Sequence, residues 1–339
     1  MARPSSSVVL WGQYLVARLA AMGLGAFEVE PSLRAAGTLG AWLYRIGRRQ
    51  RERMVRHLRW SFPELSEPAI EGLAIRSCQH VAQLFVEVCQ APRLIHADSW
   101  SSRLRIVNLT EAIRLLNTGK PAILVTGHLG NWEVLGYLMA VLGYPVDAIA
   151  RPIDNPLVND WLLGIRQRRG LRIITKWNAT DKMLAVLAGG GMLGFIADQN
   201  AGDKGLFVPF FGRLASTYKS IGLLAMNQNV PIICGYARRI GDEYRYELGT
   251  TDIIYPDDWA GRPDPLYYIT ARYMRAIETM IRECPEQYLW MHRRWRSRPA
   301  HERAGKPMPA GLRRKLEDLP WMDAATMDRL MNPPPPEER

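Results

Sequence analysis

The sequence predicts an α/β fold: a central, mostly parallel sheet flanked by helices, with an N-terminal membrane-associating helical segment ahead of it. Three observations lead there. From residue 104 onward, short apolar runs alternate with helical stretches, the pattern of βα units whose helices cover a parallel sheet. Within that alternation, residues 122–139, AILVTGHLGNWEVLGYLM, read as strand, turn and helix in succession. Ahead of both, residues 8–27 carry an apolar helical face and are followed by a run of arginines.

The elements can be justified in order. Val8, Trp11, Leu15, Leu19, Met22 and Ala26 share one face of a helix over 8–27. Gln13 and Arg18 interrupt what would otherwise be an apolar run of span length, about 20 residues. A central Arg is tolerated where the helix is shallow or tilted and the side chain snorkels. The segment is therefore expected to lie in a bilayer or barely cross it, a packed core helix being the alternative. It lacks the uniform apolar stretch and small-residue cleavage site of a removable signal peptide. Basic residues are few before it and abundant after it, which puts the main domain on the cytoplasmic side.

Arg45, Arg48, Arg49, Arg51, Arg53, Arg56 and Arg59 stand against the single acid Glu52. They suit either a solvated helix face or anionic headgroups, worth about 1 kcal/mol per basic residue near the surface. A core helix follows from Pro68 to about residue 90. Strands are expected near 104–107, 122–125, 145–149, 171–174, 192–196 and 231–236. Helices are expected near 111–117, 132–142, 155–169, 181–187 and 218–227. Residues 250–265 read as a loop, 266–283 as a long helix, and 317–339, with its four-proline run, as a flexible tail. The implied domains are 1–30, 31–316 and 317–339.

Composition narrows the function classes. With 47% hydrophobic and 23% charged residues, the chain is neither disordered nor polytopic. A net charge of +11 calls for an anionic partner. Zinc-finger spacing, an RNP-like strand and a basic zipper are all missing, so nucleic acid is not that partner. The four cysteines have neither C-x-x-C nor metal-ligand spacing. They read as buried thiols in a reducing compartment.

The chemistry concentrates in 122–139. The β-branched start suits a strand buried on both faces. Thr126 and Gly127 end it, and His128 falls on the turn before Gly130, Asn131 and a helix from Trp132. Open α/β sheets bind ligands at such a strand end. The helix N-terminus beside it favours developing negative charge. With a reference pKa near ~6.5, a neutral His can act as a base. Glu133, five residues on, can point back to the imidazole, fix its tautomer and stabilise the imidazolium. On spacing alone, H-x4-E fits equally a turn His and a Glu placed for the helix dipole.

Other candidates gather nearby. Arg151 follows a strand and can present its planar fork to a phosphate, or pair with Asp154 to brace the turn before Asn155. Asp198 and Gln199 follow the strand 192–196 and so lie at the same sheet edge as His128. Asp198 is either a second carboxylate near the imidazole or a turn cap. Residues 202–212, GDKGLFVPFFG, with Lys204, suit a flexible apolar loop at a pocket mouth or a core-covering loop. Arg213 can contact phosphate. His292 with Arg293, Arg294, Arg296 and Arg298 forms a basic, aromatic patch, in which His292 itself reads as structural.

TGHLGNWE at 126–133, ARPIDNP at 150–156, ADQNAGDKGLFVPFFGRLAST at 197–217 and PEQYLWMHRRW at 285–295 occur in that order. Together they resemble the bacterial lipid A late acyltransferases (lauroyl and myristoyl acyltransferases). These belong to a lysophospholipid acyltransferase superfamily that includes mycobacterial mannoside acyltransferases. The likeness runs from about residue 39 to about residue 298. It implies a glycerolipid-acyltransferase-like fold at the cytoplasmic face of the inner membrane. It also implies transfer of a fatty acyl group from a thioester, of acyl carrier protein or coenzyme A, to a hydroxyl of a lipid A precursor or related glycolipid. In that reading His128 is the base and Glu133 its partner. Arg151, Asn155, Asp198, Gln199, Lys204 and Arg213 contact substrate. Arg151 or the N–H groups around Gly127, Gly130 and Asn131 hold the oxyanion.

A covalent intermediate is disfavoured, because the chain has no G-x-S-x-G elbow and no suitably placed Cys. No metal or cofactor is required, the thioester being a substrate. A lysophospholipid or phosphatidylinositol-mannoside acceptor is the alternative within enzymes. A non-catalytic peripheral lipid-binding protein is the alternative outside them. Relatives often carry a carboxylate where this chain has Asn200, which bears on head-group preference.

Overall fold

The computed structural model describes residues 6–150, 152–167, 170–175 and 179–333. Nine strands occur among them: β1 (Leu104–Val107), β2 (Ala122–Thr126), β3 (Val146–Ala150), β4 (Arg172–Thr175), β5 (Met192–Ile196), β6 (Leu206–Phe210), β7 (Arg213–Thr217), β8 (Ile232–Arg239) and β9 (Tyr246–Ile254). Seven form one sheet in the order β1-β9-β8-β2-β5-β3-β4. Within it only β8 and β9 run antiparallel to each other. The expected fold class is the observed one.

Alternation along β2 explains how the sheet is covered on both sides. Ile123 and Val125, with Leu193 and Ile232, join a cluster containing Ile269, Tyr273 and Ile277 of the helix Pro265–Glu283. Ala122, with Val146, Met192 and Ile233, joins Met139 of the helix Trp132–Val141 and Ala112 of the helix Thr110–Leu116. Strands buried on both faces are what parallel sheets require. They position the loops at their C-terminal ends.

Three expectations fail. The segment 202–212 is not a flexible loop. β6 and β7 form an antiparallel hairpin whose two-residue turn, Phe211–Gly212, has φ of 52° and 66°, the left-handed pair that closes tight hairpins. Val208, Phe210 and Phe211 are buried in the main core. The stretch 250–265 is only partly a loop, because β9 continues to Ile254. The tail, as far as it is described, packs: Leu319, Met327 and Leu330 are buried in the core, the last two on a helix Ala324–Met331. The rest of the proline run, 334–339, lies outside the described residues.

Five helices precede the sheet among the described residues: Ser7–Gly25, Val29–Ile46, Arg48–Ser61, Glu67–Leu94 and the single turn Trp100–Arg103. In the first, the 18 residues Ser7–Leu24 have mean hydropathy 1.3 and none is buried. It is long and apolar enough to cross a membrane, with Trp11, Leu15, Val16, Leu19 and Met22 exposed. The second buries Leu33, Ala36 and Tyr44 but exposes Leu39, Trp42, Leu43 and Ile46. The sequence reading had not identified that helix.

Candidate active site

β2 and β5 are parallel neighbours with Thr126 opposite Ile196. Two residues beyond that pair, both chains leave the sheet at the same edge, which places His128 beside Asp198. The imidazole Nδ1 lies 2.7 Å from Asp198 Oδ1, and the His128 backbone N–H donates to Asp198 Oδ2 at 3.0 Å. With the carboxylate accepting, Nδ1 carries the proton and Nε2 is left as the acceptor. Asp198 is buried. Burial alone would raise its carboxyl, but His128, through charge and both hydrogen bonds, outweighs this and holds it well below the usual range.

This arrangement corrects the expected pairing. Glu133 sits in the first turn of the helix Trp132–Val141, and Arg166 grips both its oxygens, at 2.7 and 2.5 Å. That fork-to-fork pair is strong and directional. It holds the carboxylate on Arg166, while Asp198 takes the Nδ1 side of the imidazole. Sequence proximity favoured Glu133, whereas strand register delivers Asp198.

The turn itself is clamped by its neighbours. Gly130 has φ of 56°, and a Cβ there would come within 2.2 Å of Ala237 O, so glycine is required. Gly130 N donates to Gln287 O at 3.0 Å and Asn131 N to Ala237 O at 2.7 Å, while Gly130 O lies 3.0 Å from His80 Nε2. Asn131 Oδ1 caps the helix by accepting from Val134 N at 2.9 Å, and its amide donates to the buried Glu87 at 2.7 Å. A Cβ on Gly127 would meet Ile277 at 2.8 Å and Asp198 at 3.5 Å. The N–H groups of His128, Gly130 and Asn131 are thus spent on shaping the loop. Those of Gly130 and Asn131, two of the groups expected at an oxyanion, already have backbone partners.

Aromatic rings flank the imidazole. Trp132 and His292 each lie 4.8 Å from His128 between centroids, at 67° and 63°. His292 is pushed down to about 4, first by burial and then by His128, so it is neutral near pH 7. Tyr288 lies beneath, its phenol pushed up by burial and by the Asp198 charge. Gln199 Nε2 lies 3.3 Å from His128 Nε2.

Next to this cluster opens an apolar cavity of about 370 Å³, walled by Thr126, Trp132, Glu133, Gly136, Met139 and Arg166 among others. It runs between the sheet and the helices Trp132–Val141 and Thr110–Leu116. Its size and lining are those of a small-molecule pocket.

The remaining candidates scatter. Arg151 lies outside the described residues. Asn155 accepts from Leu157 N and Val158 N at the start of a helix and donates to Leu10 O at 2.9 Å and Gln13 Oε1 at 3.0 Å. It ties the N-terminal helix to the body. Lys204 is exposed at the turn into the β6–β7 hairpin. Arg213 is buried with its guanidinium 3.9 Å from the Trp60 ring, a packing position away from solvent. Of the basic patch, Arg294 is buried and donates to Ser216 O and Thr217 Oγ1, and Arg298 is buried against Leu214 O. Only Arg293 and Arg296 present charge outward.

What the sequence reading missed is the set around the ring: Trp132 and His292 on its flanks, Tyr288 beneath, and the Glu87–Asn131 bond under the turn. These come from three separate segments, and only the H-x4-E neighbourhood carried a local signal.

Comparison with known proteins gives the chain a family. The model of the bacterial lipid A biosynthesis acyltransferases matches residues 4–297. A lipid A biosynthesis acyltransferase of Haemophilus influenzae is 26% identical over 292 residues, covering 85% of this chain and 88% of its own. The lipid A biosynthesis lauroyltransferase of Escherichia coli is 28% identical over 269 residues, covering 77% and 84%. The palmitoleoyltransferase of the same organism is 28% identical over 281 residues, covering 80% and 87%. The strand-end histidine, its buried acid, the apolar cavity and a family match over most of the sequence converge, and the chain belongs to the bacterial lipid A biosynthesis acyltransferase family.

Proposed function

We propose that this protein moves a fatty acyl group from an acyl thioester, carried by acyl carrier protein, to a hydroxyl of a lipid A precursor or related glycolipid. The carrying observation is the His128–Asp198 pair beside the apolar cavity: Trp132, in contact with the imidazole, is also part of the cavity wall. The acyl chain occupies the cavity, which puts its thioester carbonyl near Nε2. Asp198 fixes the Nδ1–H tautomer and stabilises the imidazolium that forms.

His128 Nε2 takes the proton of the acceptor hydroxyl as its oxygen attacks the carbonyl. The C–S bond then breaks, and the thiolate recovers the proton from the imidazolium. The positive end of the helix Trp132–Val141 offsets the oxyanion. General-base assistance contributes roughly 10²–10⁴-fold, and positioning supplies much of the rest. The exposed apolar helix Ser7–Gly25 and the arginines after it support attachment to the cytoplasmic face of the inner membrane.

The test is transfer of radiolabelled lauroyl groups from acyl carrier protein to a purified lipid A precursor, with lysophospholipid and mannosylated lipid run in parallel. Transfer to the lipid A precursor alone, lost in His128→Ala, is the expected result. Acylation of one of the others instead would reassign the acceptor.

A further inference from the structure

Gln199 stands where the acceptor hydroxyl must arrive. Its side-chain amide lies 3.3 Å from His128 Nε2, the nitrogen that Asp198 leaves free by binding Nδ1. An unprotonated Nε2 accepts, so Gln199 donates through its NH₂. Among the described residues this is the side chain's one hydrogen bond, and it is long for its type.

The backbone around Gln199 is held from three sides. Ala197 N donates to Thr126 O at 2.8 Å, Arg294 to Gln199 O at 3.4 Å, and Asn200 Nδ2 to Ser297 Oγ at 3.2 Å. Arg294 is buried and braced on β7. Gln199 is exposed. A fixed backbone thus carries one exposed side chain, whose tip contacts a nearly buried base.

A base with an open Nε2 beside a bound thioester serves water as readily as an alcohol. Water would give its proton to Nε2, its oxygen would bond the carbonyl carbon, and the C–S bond would break. The thiolate would then take the proton, leaving free fatty acid. Transfer follows the same steps with the acceptor hydroxyl and yields an ester.

We propose that Gln199 gates the base. Its amide occupies Nε2 until the acceptor hydroxyl replaces it, so that the thioester is not spent on water. This rests on the acyltransfer reading above and adds how the site discriminates between two nucleophiles.

The experiment uses the full chain with lauroyl-acyl carrier protein, with and without lipid A precursor. Free fatty acid and acylated lipid are measured by mass spectrometry. In Gln199→Ala the ratio of hydrolysis to transfer should rise roughly five- to ten-fold, the factor one hydrogen bond of ordinary net strength represents. An unchanged or lower ratio overturns the gate. Gln199→Leu restores bulk without a donor and should also show the raised ratio; a wild-type ratio there would make the shield steric and overturn the hydrogen-bond gate. Gln199→Glu places a carboxylate against Nε2, holds the ring protonated, and should move the acid limb of the transfer rate to higher pH. An unmoved limb counts against the contact. His128→Ala should lose both reactions; if it keeps them, the underlying reading fails independently of Gln199.

Discussion

His128 donates two hydrogen bonds to one carboxylate, and that decides which nitrogen faces the reaction. Asp198→Asn keeps the shape but reverses the hydrogen-bond logic, because an amide can donate to Nδ1 and favour the wrong tautomer. Transfer should fall about 10²–10⁴-fold, with thermal unfolding used to confirm that the variant is folded. Glu133→Gln, which weakens the ion pair to Arg166 at the cavity wall, should cost less than Asp198→Asn in the same assay. A larger loss in Glu133→Gln would reverse the two carboxylates' roles.

At the scale of elements, the strand–turn–helix around His128 is a shaped backbone held by other segments. Gly130→Ala forces a Cβ into Ala237 O and a side chain into left-handed φ. It should destabilise the protein by about 1–3 kcal/mol in denaturant unfolding and lower transfer with it. The helix Trp132–Val141 is also a wall of the cavity. Met139 lies seven residues past Trp132, hence roughly 10 Å deeper along the axis. Met139→Trp should fill that depth and shift the products towards shorter acyl chains when thioesters of mixed length compete. An unshifted distribution would mean that the chain does not reach Met139.

At the scale of the whole molecule, two histidines, His80 buried and His292 half-buried, set an acid limit. Burial, aided by Arg239, pushes His80 down to about 3, and burial with His128 pushes His292 down to about 4. Unfolded, each titrates near ~6.5. Between about pH 6.5 and 4 the unfolded chain therefore binds more protons, and stability falls as pH falls, by up to about 1.4 kcal/mol per pH unit for each group. Asp198 acts lower: its depressed carboxyl contributes stability above about 3.9 that is lost only below it. The melting temperature should drop steadily from pH 6.5 to 4, and His80→Gln should flatten that slope. The membrane reading belongs to this scale too. Glu substitutions at Leu15 and Leu19, both exposed on the first helix, should release the protein from anionic vesicles in a sedimentation assay.

The sequence by itself determined the alternation of strands and helices, the strand-end position of His128, the apolar N-terminal helix and the family. The first three depend on residues close in the chain, where periodicity and turn chemistry leave a local trace, and the family on four such short signatures in order. Only the tertiary structure decided which acid serves the histidine, because Asp198 is 70 residues away and reaches it through the register of β2 with β5. It also turned an apparent loop into a buried hairpin and drew Arg294 and Arg298 inward. A sequence gives the composition of such segments, but their burial depends on what else packs against them.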